Sequence, residues 1–240
     1  MAMTSKEVMR AAIRFQTPDR LPVLMGALGF SDLHGIGLGH PSQRSETGVG
    51  KDEWGCVWSK TDMHNMGQVT GHPLRDLGTI EDYPFPDPYN PVILERIGKA
   101  LPGFEAENKY VDVGQFMILF ERMHSLLGFR ETLEYLYLEP EAMGALADRI
   151  ADYNVTLIHE IGSRFGTRIH AYGGTDDWGT QADAFISPRM WRSFFLPRYR
   201  RIFDAAKKYD WDVRLHSCGK VNALLPLFIG WLRHRREAVA

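Results

Sequence analysis

His216 and Cys218 are the residues of this chain whose types and spacing could do chemistry. They close a short β-type run, Asp212-Val213-Arg214-Leu215. Side chains on a strand alternate faces, so the imidazole and the sulfur point the same way and Ser217 points the other. An imidazole nitrogen beside a thiolate sulfur supplies two legs of a zinc site. Gly219 lets the chain turn sharply just after them. The chain holds only 2 Cys in 240 residues, so this placement is not a by-product of cysteine abundance. The competing reading is a buried cysteine packed as a small hydrophobe beside a satisfied histidine, since two ligands do not complete a site.

A second reactive stretch, Asp176-Asp177-Trp178, follows the apolar run Arg168 to Gly173. If both runs are parallel strands of one sheet, their carboxyl ends share a rim, where α/β folds place their chemistry. Asp176 and Asp177 are therefore the candidate catalytic groups, able to orient the imidazole or to act as a base. Their alternative role is a turn that caps its own backbone. Trp178 is read either as packing or as a surface on which a cofactor rests.

The elements that must position these residues are legible in outline. Thr4-Ser5-Lys6-Glu7 is a capping box that opens an amphipathic helix. Leu21 to Met25 reads as a short buried strand, followed by a glycine-rich loop from Gly26 to Gly39. Residues 40–90 are irregular, with Glu53 to Trp58 and Gly67 to Thr70 as two arms of a hairpin. Val92 to Leu101 reads as a helix, Tyr110 to Gly114 as a strand, and Phe116 to Leu127 as a helix. From Pro140, Leu146, Ile150, Tyr153, Leu157 and Ile161 recur at steps of three and four, which marks a long helix with one apolar face. Ser187-Pro188 caps another, with Trp191, Phe194, Phe195, Ile202 and Phe203 as its buried stripe. Strands alternating with long helical crossovers require parallel pairing and right-handed connections.

Composition narrows the class. The chain is 44% hydrophobic, carries 28 basic against 30 acidic residues, and shows no basic stripe of the kind that binds nucleic acid. The one basic cluster, Arg233-His234-Arg235-Arg236, reads as a solvated tail. No apolar run reaches the length of a bilayer span, and the first fifteen residues lack the apolar core of a signal peptide. Two distant cysteines make no disulfide framework, so the expected compartment is a reducing cytoplasm.

Taken together, Gly174 to Gln181, Ile186-Ser187-Pro188, Phe195-Leu196-Pro197-Arg198-Tyr199 and Leu215 to Gly219 resemble the uroporphyrinogen decarboxylase-like superfamily. They resemble most closely its branch of cobalamin-dependent methyltransferases. Thr17 to Val23, Asp52 to Gly55 and Gly67 to Leu74 add to the likeness, which spans about residues 4 to 226. The resemblance implies a (β/α)8 TIM barrel as a single domain over residues 1–240, with decoration at about 40–90. It implies that His216 and Cys218 match the first two zinc ligands, and that Asp176 and Asp177 line the barrel mouth. The implied reaction moves a methyl group from a corrinoid, carried by a partner protein, to a small-molecule thiol activated by zinc.

Two departures qualify the match. The third zinc ligand of the branch is a downstream cysteine, and no cysteine follows Cys218. Because Gly230 to Arg236 does not read like the next strand, the barrel is expected to be incomplete after about residue 226. A substitute ligand would be Cys56 or a histidine such as His170. The second departure concerns the alternative activity, metal-free decarboxylation of uroporphyrinogen or another polyacid. That substrate needs arginines close to the first strand, and none lies between Arg20 and Arg44. A third reading is a non-catalytic fragment.

Overall fold

The structure, a computed structural model, describes residues 2–60 and 66–232. The basic run Arg233 to Arg236 lies outside the described residues. After a first helix, α1 (Ser5–Ile13), capped by the Thr4 and Glu7 side chains, the chain enters β1 (Leu33–Gly37). Helix α2 (Pro91–Ala106) leads to β2 (Tyr110–Gln115). Then come α3 (Phe120–Leu127), α4 (Phe129–Leu138) and the long α5 (Pro140–Phe165) before β3 (Ala171–Thr175). Helix α6 (Leu196–Lys207) precedes β4 (Asp212–His216), and α7 (Leu225–Leu232) follows it.

The four strands pair in chain order, all parallel. Among the described residues this sheet holds half the strand complement of a (β/α)8 barrel. In register, Thr175 stands opposite His216, so the two reactive strand ends are neighbours. The helical stripes lie where their periodicity places them: Leu146, Ile150, Tyr153, Leu157 and Ile161 are buried on α5. Trp191, Phe195, Ile202 and Phe203 are likewise buried before and along α6. Ser187 caps that segment by accepting from the Met190 amide, and one wide turn, Trp191–Phe195, joins it to α6. The hairpin forms between Val57–Ser59 and Gln68–Gly71, with Gly50–Lys51 as a third antiparallel strand. Among the described residues no helix is long and apolar enough to cross a membrane.

Three expectations need correction. The stretch Leu21 to Met25 is not a buried strand: only Leu24–Met25 is extended, it pairs antiparallel with Phe30–Ser31, and both its residues are exposed. The first strand of the main sheet lies instead in the segment read as glycine-rich loop. Leu33-His34-Gly35-Ile36-Gly37 has weak strand propensity, and parallel pairing with Tyr110 to Gly114 of the buried β2 overrides it. The helix expected from Phe116 starts at Phe120, because the preceding residues make a turn with Met117 at φ +61°. Finally, the strand expected over Arg168 to Gly173 is shifted to Ala171–Thr175, behind a short 3-10 turn.

Asp32 fastens the entry to β1. Its side chain is 1% exposed and accepts from both terminal nitrogens of Arg20, at 2.7 and 2.5 Å, and from the Val23 amide at 2.8 Å. The Arg20 guanidinium holds the carboxyl well below the usual carboxylate range. A depressed folded-state pKa contributes stability above the unfolded value and loses it as pH falls through the folded one. Asp32→Asn should therefore cost about 2 kcal/mol at pH 7. The difference should hold down to about pH 4 and shrink progressively below it, as urea unfolding at about pH 7, pH 4 and pH 2.5 will show.

Candidate metal centre

Two loops build the rim above β3 and β4, and they touch through glycines. A Cβ on Gly219 would fall 2.0 Å from the Gly179 carbonyl oxygen, and Gly219 has φ +81°, so no other residue fits there without a shift. Around this contact the loops are laced by the Lys220 amide to Thr180 O (2.7 Å), the Trp178 amide to Ser217 Oγ (3.0 Å) and the Asp176 amide to His216 O (2.9 Å). Ser217 thus faces the loop, while His216 and Cys218 meet each other, with Nε2 and Sγ 3.2 Å apart.

Asp177 completes the group. Its Oδ1 accepts from the Cys218 amide at 2.7 Å and lies 3.9 Å from His216 Nε2. One nitrogen, one sulfur and one carboxylate oxygen fall within 4.8 Å of one another. The site is open: His216 is 53% and Asp177 35% exposed at the side chain. A hydrogen bond to the Asp177 carboxylate, with some burial, raises the Cys218 thiol above its ordinary value, so the free thiol stays protonated near neutrality. The donor set suits a borderline cation such as zinc, and the open side leaves room for an exogenous ligand.

The other residues expected at this site are not at the mouth. Asp176 is fully buried. It accepts from the amides of Leu119 (2.9 Å), Phe120 (2.9 Å) and Glu121 (2.6 Å), and from the Tyr199 hydroxyl. It is an anion seated on the N-terminus of α3, where orphan amides and the helix dipole favour it. Trp178 is also fully buried, stacked on Phe120 at 4.4 Å and edge-on to Phe195 at 4.7 Å, and offers no face to a cofactor. The substitute ligands are elsewhere. Cys56 is buried, donates its thiol to Ser125 O at 3.2 Å, and burial pushes it up to about 12. His170 precedes β3 and accepts on Nδ1 from the Val111 amide. That places it five residues below the rim, about 16 Å along the strand.

Glu121 is the neighbour that sequence reasoning missed. It accepts from Thr175 Oγ1 at 2.7 Å and is nearly buried beside Asp176. Burial, aided by the Asp176 charge, pushes its carboxyl up to about 8. The available signal was an acid in the first turn of a helix whose Phe120, Met123 and Leu126 are all buried.

The arginine pattern also changes once β1 is placed at Leu33–Gly37. Arg44, Arg96 and Arg122 all line one cavity beyond the end of that strand. Arg122 is ion-paired with Asp52 at 3.2 Å, and Arg96 donates to the carbonyls of Gly37 and Gly39 at 2.8 Å each.

Comparison with known proteins agrees with this architecture. The family model described as Uroporphyrinogen decarboxylase (URO-D) matches residues 64–229. No curated protein matches the sequence. Among solved structures, a methyltransferase from Methanosarcina mazei superposes with a TM-score of 0.63 at 17% identity, over 93% of this chain and 72% of that one. That likeness carries the barrel fold, here with four of its parallel strands among the described residues. The chain belongs to the uroporphyrinogen decarboxylase (URO-D) family.

Proposed function

We propose that this chain is a zinc-dependent methyltransferase that moves a methyl group from a corrinoid, carried by a partner protein, to a small-molecule thiol. Residues 1–240 are read as one barrel domain, with about 40–90 as decoration. The observation that carries the reading is the convergence of His216, Cys218 and Asp177 within 4.8 Å at the carboxyl end of the parallel strands. The M. mazei methyltransferase supports it at the level of fold.

His216 Nε2, Cys218 Sγ and an Asp177 oxygen would hold the metal. Bound zinc would supply Lewis acidity that keeps an acceptor sulfur as thiolate at neutral pH. The chain's own residues set the stage. Asp177 fixes the Cys218 backbone through its hydrogen bond. Asp176 anchors the β3 end to α3 and so holds the Asp177 loop in place. Glu121 accepts from Thr175 at the strand end beneath it.

A metal-free polyacid decarboxylase is less well supported. Of the three guanidinium groups past β1, Arg122 is paired with Asp52 and Arg96 is tied to two backbone carbonyls, which leaves few cations to receive the carboxylates of a polyacid.

Metal analysis of the purified chain tests the reading. We expect close to one zinc per chain, and a loss of affinity of at least about 100-fold in His216→Ala. A parent chain without stoichiometric zinc, or a variant that binds it equally well, would overturn the proposal.

A further inference from the structure

The end of the sheet opposite the metal-binding candidates carries an apolar arm. Leu21 to Ser31 holds no charged residue. It stands before the amino end of β1, whereas the triad lies past β3 and at the carboxyl end of β4. Polar contacts fasten its base: Arg20 and the Val23 amide donate to Asp32, and Lys109 Nζ donates to the Ser31 carbonyl at 2.7 Å. Its tip is a hairpin. Leu24–Met25 pairs with Phe30–Ser31 and, among the described residues, with no other strand. The chain reverses through Gly29, at φ +74°, and a Cβ on Gly26 or Gly29 would meet no atom within 4 Å.

Leu21, Leu24, Met25, Leu28 and Phe30 are between 54% and 82% exposed. Together they offer roughly 600 Å² of apolar surface, the upper limit of what a monomer leaves in one patch and close to the roughly 800 Å² per partner that a stable interface buries. Leu24 and Met25 leave their strand on opposite sides and both are exposed, so the ribbon is bare on both faces. A two-stranded hairpin of this size is marginal in water, and covering its apolar groups stabilises it. A lipid surface is a poor cover, because the arm has no cation and the two at its base, Arg20 and Lys109, are engaged. A second copy of the arm needs no complementary charge. A two-fold axis sets each uncharged apolar group against an equivalent surface, and the fastened base limits the ordering cost.

We propose that this arm is a self-association surface, on which two copies of the chain dock about a two-fold axis with Leu24, Met25, Leu28 and Phe30 of each packed against the arm of the other. The interface is independent of the metal reading, because the triad stands at the other end of the strands.

Analytical ultracentrifugation of the full chain from about 1 to about 100 μM tests it. The parent should pass from monomer to dimer within that range. Leu28→Glu, which the two-fold axis places in the interface twice, should weaken association by at least about 100-fold. Leu28→Ala, which removes apolar surface without adding charge, should weaken it by about tenfold. His216→Ala should dimerise like the parent, whatever becomes of zinc. A parent that stays monomeric at the highest concentration, or a Leu28→Glu chain that dimerises like the parent, would overturn the proposal. Loss of the dimer in His216→Ala would move the interface to the triad and overturn it as well. So would flotation of a monomeric chain with phosphatidylcholine vesicles, which would assign the arm to lipid. If thermal melting shows Leu28→Glu unfolded, Leu28→Ala decides.

Discussion

Asp176→Ala is expected to lower stability by about 4 kcal/mol, among the largest effects of any single substitution in this chain. The carboxylate serves three amides at the start of α3 and the Tyr199 hydroxyl, all in a fully buried setting. Alanine leaves these four donors without an acceptor or solvent, and each orphan costs about 1–3 kcal/mol before relaxation. Asp176→Asn should cost less, about 2 kcal/mol. A correctly placed amide oxygen can replace Oδ2, which serves Leu119, Phe120 and Tyr199, and only the Glu121 amide then faces an NH2 group. Urea unfolding of the three proteins at pH 7 gives the order. If alanine costs less than asparagine, Asp176 is not the helix anchor described here.

The second large effect concerns pH. Zinc affinity should climb about tenfold per pH unit between pH 6 and pH 8 on account of Cys218 alone. A thiol must give up its proton to become a ligand, and the Asp177 carboxylate holds that proton more firmly than usual. The sign is fixed by the raised value: throughout this window the free thiol is protonated, so each unit of pH lowers the cost of releasing the proton by a factor of ten. Asp177→Asn separates two roles. Without the carboxylate charge the thiol becomes more acidic, which favours binding at low pH. If the carboxylate is itself a ligand, affinity falls at every pH. Competition with a chromophoric chelator at pH 6, 7 and 8 measures both. A flat profile in the parent would exclude Cys218 from the metal site.

How much of this was legible beforehand varies by element. The long helix from Pro140 announces itself by period, because one apolar face must be buried along its whole length. The His-x-Cys pair could be read from strand alternation, since two positions along a strand return a side chain to the same face. By contrast, β1 could not be read. A five-residue stretch with two glycines carries too little local preference, and only its pairing with β2 makes it a strand. That misplacement moved the first strand by about ten residues, and with it the inference about nearby arginines.

The adjacent aspartates show the division most sharply. Residue type and order alone determined that a carboxylate, an imidazole and a thiol would sit at consecutive strand ends, because parallel pairing brings those ends together. Only the tertiary structure decided which aspartate joins them. At the end of β3, successive side chains leave in opposite directions: Asp176 turns inward onto the amides of α3, and Asp177 turns outward to Cys218. The choice depends on the donors that wait on each side, and the backbone amides among them come from helix and loop segments more than forty residues away.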